Sequence, residues 1–168
     1  MPHNPKLLKT ERFYYIYTRG NNSCKIFIHD KNYSYFKSLM KKYLIPICNC
    51  LEYSLLENEI HIIIQTFNKK EILHFQKIMM LNKLTPEKRI SQQISNMLNA
   101  YTKAFNKKYN RTGSLFEHPF HKKEIIGNVN MHRKTNNIHL LSTNNNFSIN
   151  NNLNKWSSLN DPLCLNIL

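Results

Sequence analysis

The stretch Ile47 to Thr66, ICNCLEYSLLENEIHIIIQT, constrains the fold more than any other part of the chain. Two runs rich in large apolar and β-branched residues are separated by little more than the polar pair Glu57 and Asn58, the pattern of a β-hairpin. A third strand is expected upstream, where RFYYIYTR (Arg12 to Arg19) is dense in aromatic and β-branched residues. GNN then turns the chain, and KIFIHD reads as a short extended piece.

The helices follow from a different period. From Asp30, the expected N-cap, Tyr35, Phe36, Leu39, Met40 and Tyr43 recur at helical spacing. NKKEILHFQKIMM predicts a second helix. TPEKRISQQISNMLNAYTKAFNKKYN predicts a third, with Thr85 as cap, Pro86 in the first turn, and Ile90, Ile94, Met97, Leu98, Tyr101 and Phe105 as its apolar stripe. FHKKEII reads as a last strand and NVNMHRKTNNIHLL as a last helix. The order β, α, β, β, α, α, β, α predicts an α+β fold: a ferredoxin-like antiparallel sheet with helices on one side. The expected division is a domain over residues 10–141 and an irregular, Asn-rich C-terminal tail over 142–168, docked at isolated points such as Trp156 and Leu163.

The formal net charge is +14, from 24 Lys plus Arg against 10 Asp plus Glu. Such an excess on a chain of 168 residues favours a polyanionic partner. Four cysteines are present, with Cys48 and Cys50 as a C-x-C whose thiols share one strand face. Without a C-x-x-C pair, buried thiols in a reducing cytosol are expected rather than a zinc knuckle. No apolar run approaches the ~18 residues of a membrane span. The first residues, MPHNPKLLKTERF, lack an apolar signal core, so a cytoplasmic, nucleoid-associated protein is expected.

Four stretches in order resemble the HUH single-tyrosine transposases, most closely their REP-associated tyrosine transposase branch. They are YYIYTRGNNSCKIFIHDKNYSYFKSLMKKY, the hairpin ending in ENEIHIII, NAYTKAFNKKYNRTGSLFEHPF, and NNIHLLS, which stands where the family usually reads Tyr-Ile-His-Leu-Asn-Pro. The resemblance spans roughly Arg12 to Ser142. It implies a protein that handles single-stranded DNA at the foot of a hairpin. In that family two histidines one residue apart bind a divalent metal, because residues i and i+2 of a strand face the same side. The last helix adds a third ligand and a tyrosine that attacks the DNA phosphorus.

Carried onto this chain, the paired histidines fall on Glu59 and His61, so a carboxylate replaces the first. Glu59 with His61 leaves a vestigial, weak site for Mg²⁺ or Mn²⁺, and no cofactor is required for binding. The nucleophile falls on Asn137 and the third ligand on Leu141. None of the nine tyrosines lies beyond Tyr109.

Three readings follow. The first is a DNA-binding protein derived from such a transposase, holding single-stranded or hairpin DNA without cleaving it. Arg19, Lys103, Lys107, Lys108, Arg111, Lys122 and Lys123 are its phosphate-binding candidates, against the plainer reading of each as a solvated charge. Tyr109 and Phe116 are candidates to stack unpaired bases, against core packing for Phe116 and Phe120. The second is an active metal-dependent nuclease with a displaced nucleophile, Tyr101, or a metal-activated water at Glu59 and His61. The third is a protein-interaction scaffold using the tail. A homodimer is compatible with all three.

Overall fold

The computed structural model describes residues 7–144 and 156–158. The elements run β1 (Phe13–Arg19), α1 (Asp30–Leu44), β2 (Cys48–Leu55), β3 (Glu59–Thr66), α2 (Lys69–Ile78), α3 (Pro86–Tyr109), β4 (His121–Ile125) and α4 (Asn128–Asn144), with one 3-10 turn at Asn21–Ser23. The four strands form one antiparallel sheet in the order β2-β3-β1-β4. The fold is α+β, as expected, and this strand order is the ferredoxin-like one.

Local chemistry sets most of the boundaries. The Thr85 hydroxyl accepts from the Lys88 N–H, Pro86 fills the first turn of α3, and Asn110 ends that helix in the left-handed region at φ 51°. Asn68 and Glu71 form a reciprocal capping box at the start of α2. At α1 the cap differs from expectation. His29 is the N-cap and Asp30 the first helical residue, while the Asn32 side chain accepts from the Ile28 and His29 N–H groups. Asp30 still stands where a negative charge complements the helix dipole.

One face of the sheet carries the main core. Tyr14 and Ile16 of β1 and Ile60, Ile62 and Ile64 of β3 pack with Phe36 and Met40 of α1 and Ile94, Met97 and Tyr101 of α3. Each such side chain, fully buried, contributes roughly 1.5–3 kcal/mol before entropy is counted. A bulge between Cys50 and Glu52 shifts the parity of β2. Cys48 and Cys50 therefore share the core face, as expected, and so do Tyr53 and Leu55 after the bulge, while Glu52 turns to the other side.

The expectation of helices on one side holds for α1, α2 and α3. The fourth helix packs on the opposite face, where Ile138 and Met131 meet Ile63, Ile125, Phe13 and Leu51. The reason lies in β3: Ile63 is apolar where alternation alone would put a polar residue, so that face too must be covered. His139 of α4 adds a 3.4 Å contact to Glu52.

Trp156–Ser158 lie against the domain. Trp156 is buried, stacking on Tyr33 at 4.9 Å, and Ser157 bridges to Ser54 on the free side of β2. Leu163 lies outside the described residues.

Candidate nucleic-acid interface

The face opposite the main core is built by strand alternation. Tyr15, Tyr17 and Arg19 of β1, Glu59 and His61 of β3, and His121 and Lys123 of β4 all point to it, and α4 covers one part. The register sets His61, Tyr17 and His121 side by side across three strands. Their rings are nearly parallel, with Tyr17 and His121 centroids 4.4 Å apart and Tyr17 and His61 6.1 Å apart.

His61 is buried and held at both ring nitrogens. Its Nε2 lies 3.0 Å from a Glu59 carboxylate oxygen, and its Nδ1 lies 2.7 Å from the Tyr15 hydroxyl. Burial pushes the imidazole below its ordinary value of 6.5, with Lys134 and Arg19 adding to the effect and Glu59 opposing it. The ring is therefore neutral at pH 7. A carboxylate only accepts, so Nε2–H donates to Glu59 and Nδ1 accepts from Tyr15. Desolvation, reinforced by Tyr17 and Glu59, pushes the Tyr15 phenol up to about 12. The proton thus rests on Tyr15.

Glu59 and His61 do meet, as the i, i+2 spacing predicts. A divalent ion at this pair would have to displace the Nε2 proton. Among the described residues no three His, Cys, Asp or Glu side chains converge on one point. Leu141, the expected third-ligand position, has only a hydrocarbon side chain. These residues do not make the three-ligand set of the transposases.

Asn137 lines a cavity of about 370 Å³ with Tyr15, Lys134, Ile138, Leu140 and Leu141. Asn137 thus shares this cavity with the tyrosine that holds His61. Lys134 stands over the Tyr15 ring at 4.3 Å. Tyr101 lies on the other side of the sheet. It is 1% exposed, its hydroxyl donates to the Ile26 carbonyl at 2.6 Å, and burial pushes its phenol pKa up, making it a weaker acid. Tyr101 packs in the main core, away from the face that carries Glu59 and His61.

The seven basic candidates do not share one face. Lys103, Lys107 and Lys108 stand on the exposed side of α3, in the helix layer, with Lys108 over the Tyr109 ring at 5.3 Å. Arg111 leans on Phe105 at 5.9 Å. Arg19 and Lys123 point to the opposite side of the sheet, and Arg19 sits 3.4 Å from Glu117. Lys122 alternates away from Lys123, over the Phe120 ring. The stacking candidates fare differently. Phe116 is core at 1% exposure, and Tyr109 is half-buried with its hydroxyl bonded to Asn32. Tyr17 and His121, the open stacked rings, were not singled out from the sequence. Only the cross-strand register brings residues 104 positions apart into contact; alternation of YIYTR and HKK about a shared face was the available signal.

This arrangement defines a class by shape: a four-stranded antiparallel α+β domain with one helix laid over a histidine-bearing face. Among solved structures the chain is similar to that of a REP-associated tyrosine transposase bound to a REP hairpin, with a TM-score of 0.59 over 98% of this chain and 90% of the other, at 9% sequence identity. At that identity the likeness shows the fold alone. No family model matches the sequence, and no curated protein matches it either. Among the described residues no helix is long and apolar enough to cross a membrane.

Proposed function

We infer that this chain binds DNA, single-stranded or folded into a hairpin, and does not cleave it through a tyrosine. A solved structure similar in fold is a REP-associated tyrosine transposase bound to a REP hairpin, and the charge of +14 suits a phosphate backbone. The observation that carries the inactive half of the reading is position 137. A cavity lined by Tyr15 and Lys134 presents an amide there, and an amide cannot attack phosphorus. Tyr15 lines the same cavity, but its proton is committed to His61 and its acidity is weakened. Binding without cutting, at the nucleoid, is the activity that remains.

The test has two arms. DNA affinity falls steeply from low to moderate salt. Neutralising Lys107, Lys108 and Arg111 together flattens that dependence by about one log–log unit per lost phosphate contact. Affinity that ignores salt sinks the DNA reading and favours a protein partner. In the second arm, the protein with Mn²⁺ and hairpin single-stranded DNA gives no covalent band on denaturing electrophoresis. Asn137→Tyr with Leu141→Asn and Glu59→His is expected to produce one. A band from the unaltered chain overturns the inactive reading.

A further inference from the structure

The ring row on the open sheet face has one closed end and one open end. His61 closes it: the ring is buried, and both nitrogens are bonded within the protein. Tyr17 stands in the middle. His121 ends the row on β4, an edge strand, and is exposed. Its inner face lies 4.4 Å from Tyr17 at an interplanar angle of 12°, and among the described residues no other ring stacks on it. A flat aromatic ligand can therefore add to the row only outside His121.

We propose that His121 is a base-stacking site for single-stranded nucleic acid, with an unpaired base as the next ring outward from the row. The charges around it support that ligand class. Glu59 is engaged by His61, Glu117 by Arg19, and Glu124 turns to the other side beside Arg12. Lys123 projects on the same side as His121, two residues along the same edge and about 7 Å away. It makes no ion pair among the described residues, so it meets the phosphate flanking a stacked base. Duplex DNA keeps its bases paired and offers no such ring, so the ligand is unpaired strand. This assignment rests on the DNA-binding reading above and names the place where the unpaired part of the ligand docks.

The experiment uses the full chain and a short single-stranded DNA bearing one 2-aminopurine, with an otherwise identical strand carrying an abasic position. Binding by the unaltered protein quenches the 2-aminopurine, and the abasic strand binds about ten-fold more weakly. His121→Ala loses the quenching, weakens binding to the intact strand about ten-fold, and no longer distinguishes the abasic strand. His121→Phe keeps the quenching and binds within about two-fold of the unaltered protein, because a ring rather than a charge is required. His121→Ala binding like the unaltered protein, or His121→Phe failing like His121→Ala, overturns the stacking site. Binding that depends on Lys107, Lys108 and Arg111 but not on His121 overturns it while leaving the DNA reading intact. Absence of binding to any DNA overturns both. An RNA of the same sequence that binds at least about ten-fold tighter than the DNA overturns the assignment to DNA.

Discussion

His61 gives the face its pH dependence. Folded, its affinity for a proton is below the ordinary 6.5; unfolded, it returns to that value. Between the two, the unfolded chain binds more protons, so stability falls as pH drops below 6.5 and levels off below the folded value. Above 6.5 this residue contributes no slope. Thermal denaturation across pH 5–7 should show the decline in the unaltered protein and a flatter curve in His61→Gln; equal curves would place the titration elsewhere. Tyr101 makes a second residue-level prediction. Tyr101→Phe leaves the Ile26 carbonyl without its donor and should cost about 1 kcal/mol in urea denaturation. A loss of DNA chemistry with no loss of stability would return Tyr101 to the list of nucleophiles. At this scale the sequence showed Glu59 beside His61, because i, i+2 spacing is local. It did not show Tyr15 as the other partner, because that contact is a diagonal across two strands 46 residues apart.

The elements were legible wherever period and cap agreed. Thr85 and Pro86 announced α3 by a local rule, whereas the Asn68–Glu71 capping box of α2 was present in the sequence but not read from it. The parity of β2 was not legible, because a bulge leaves no mark in composition; only the need to bury Tyr53 with Cys50 fixes it. Likewise the placement of α4 depends on Ile63 and Ile138 finding each other, a long-range contact. Gly20, between β1 and the Asn21–Ser23 turn, shows a local rule of a different kind. Its φ of −67° suits any residue, so the glycine is there for space. An added Cβ would stand 2.3 Å from the Cys24 carbonyl oxygen and 3.0 Å from Ile26. Gly20→Ala should therefore force the turn open and destabilise the chain by about 1–3 kcal/mol, read as a lowered melting temperature. An unchanged melting temperature would mean the turn adjusts at no cost.

Across the whole molecule, residues far apart in sequence meet around β2. Trp156 stacks on Tyr33 with Lys37 at 5.6 Å, and Ser158 bonds Tyr53 and Glu52, the carboxylate that also meets His139. Trp156→Ala should cost about 3 kcal/mol, as for other large buried aromatics, measured by denaturant titration. A cost near zero would mean that Trp156 does not hold this segment down. The docking has a consequence for how copies of the chain meet. A sheet edge with unpaired backbone is a template on which another chain can add a strand. Here Ser157 already occupies part of the free edge of β2. The other edge, β4, is only five residues long and carries Lys122 and Lys123. Both margins are thus guarded against runaway strand-by-strand aggregation.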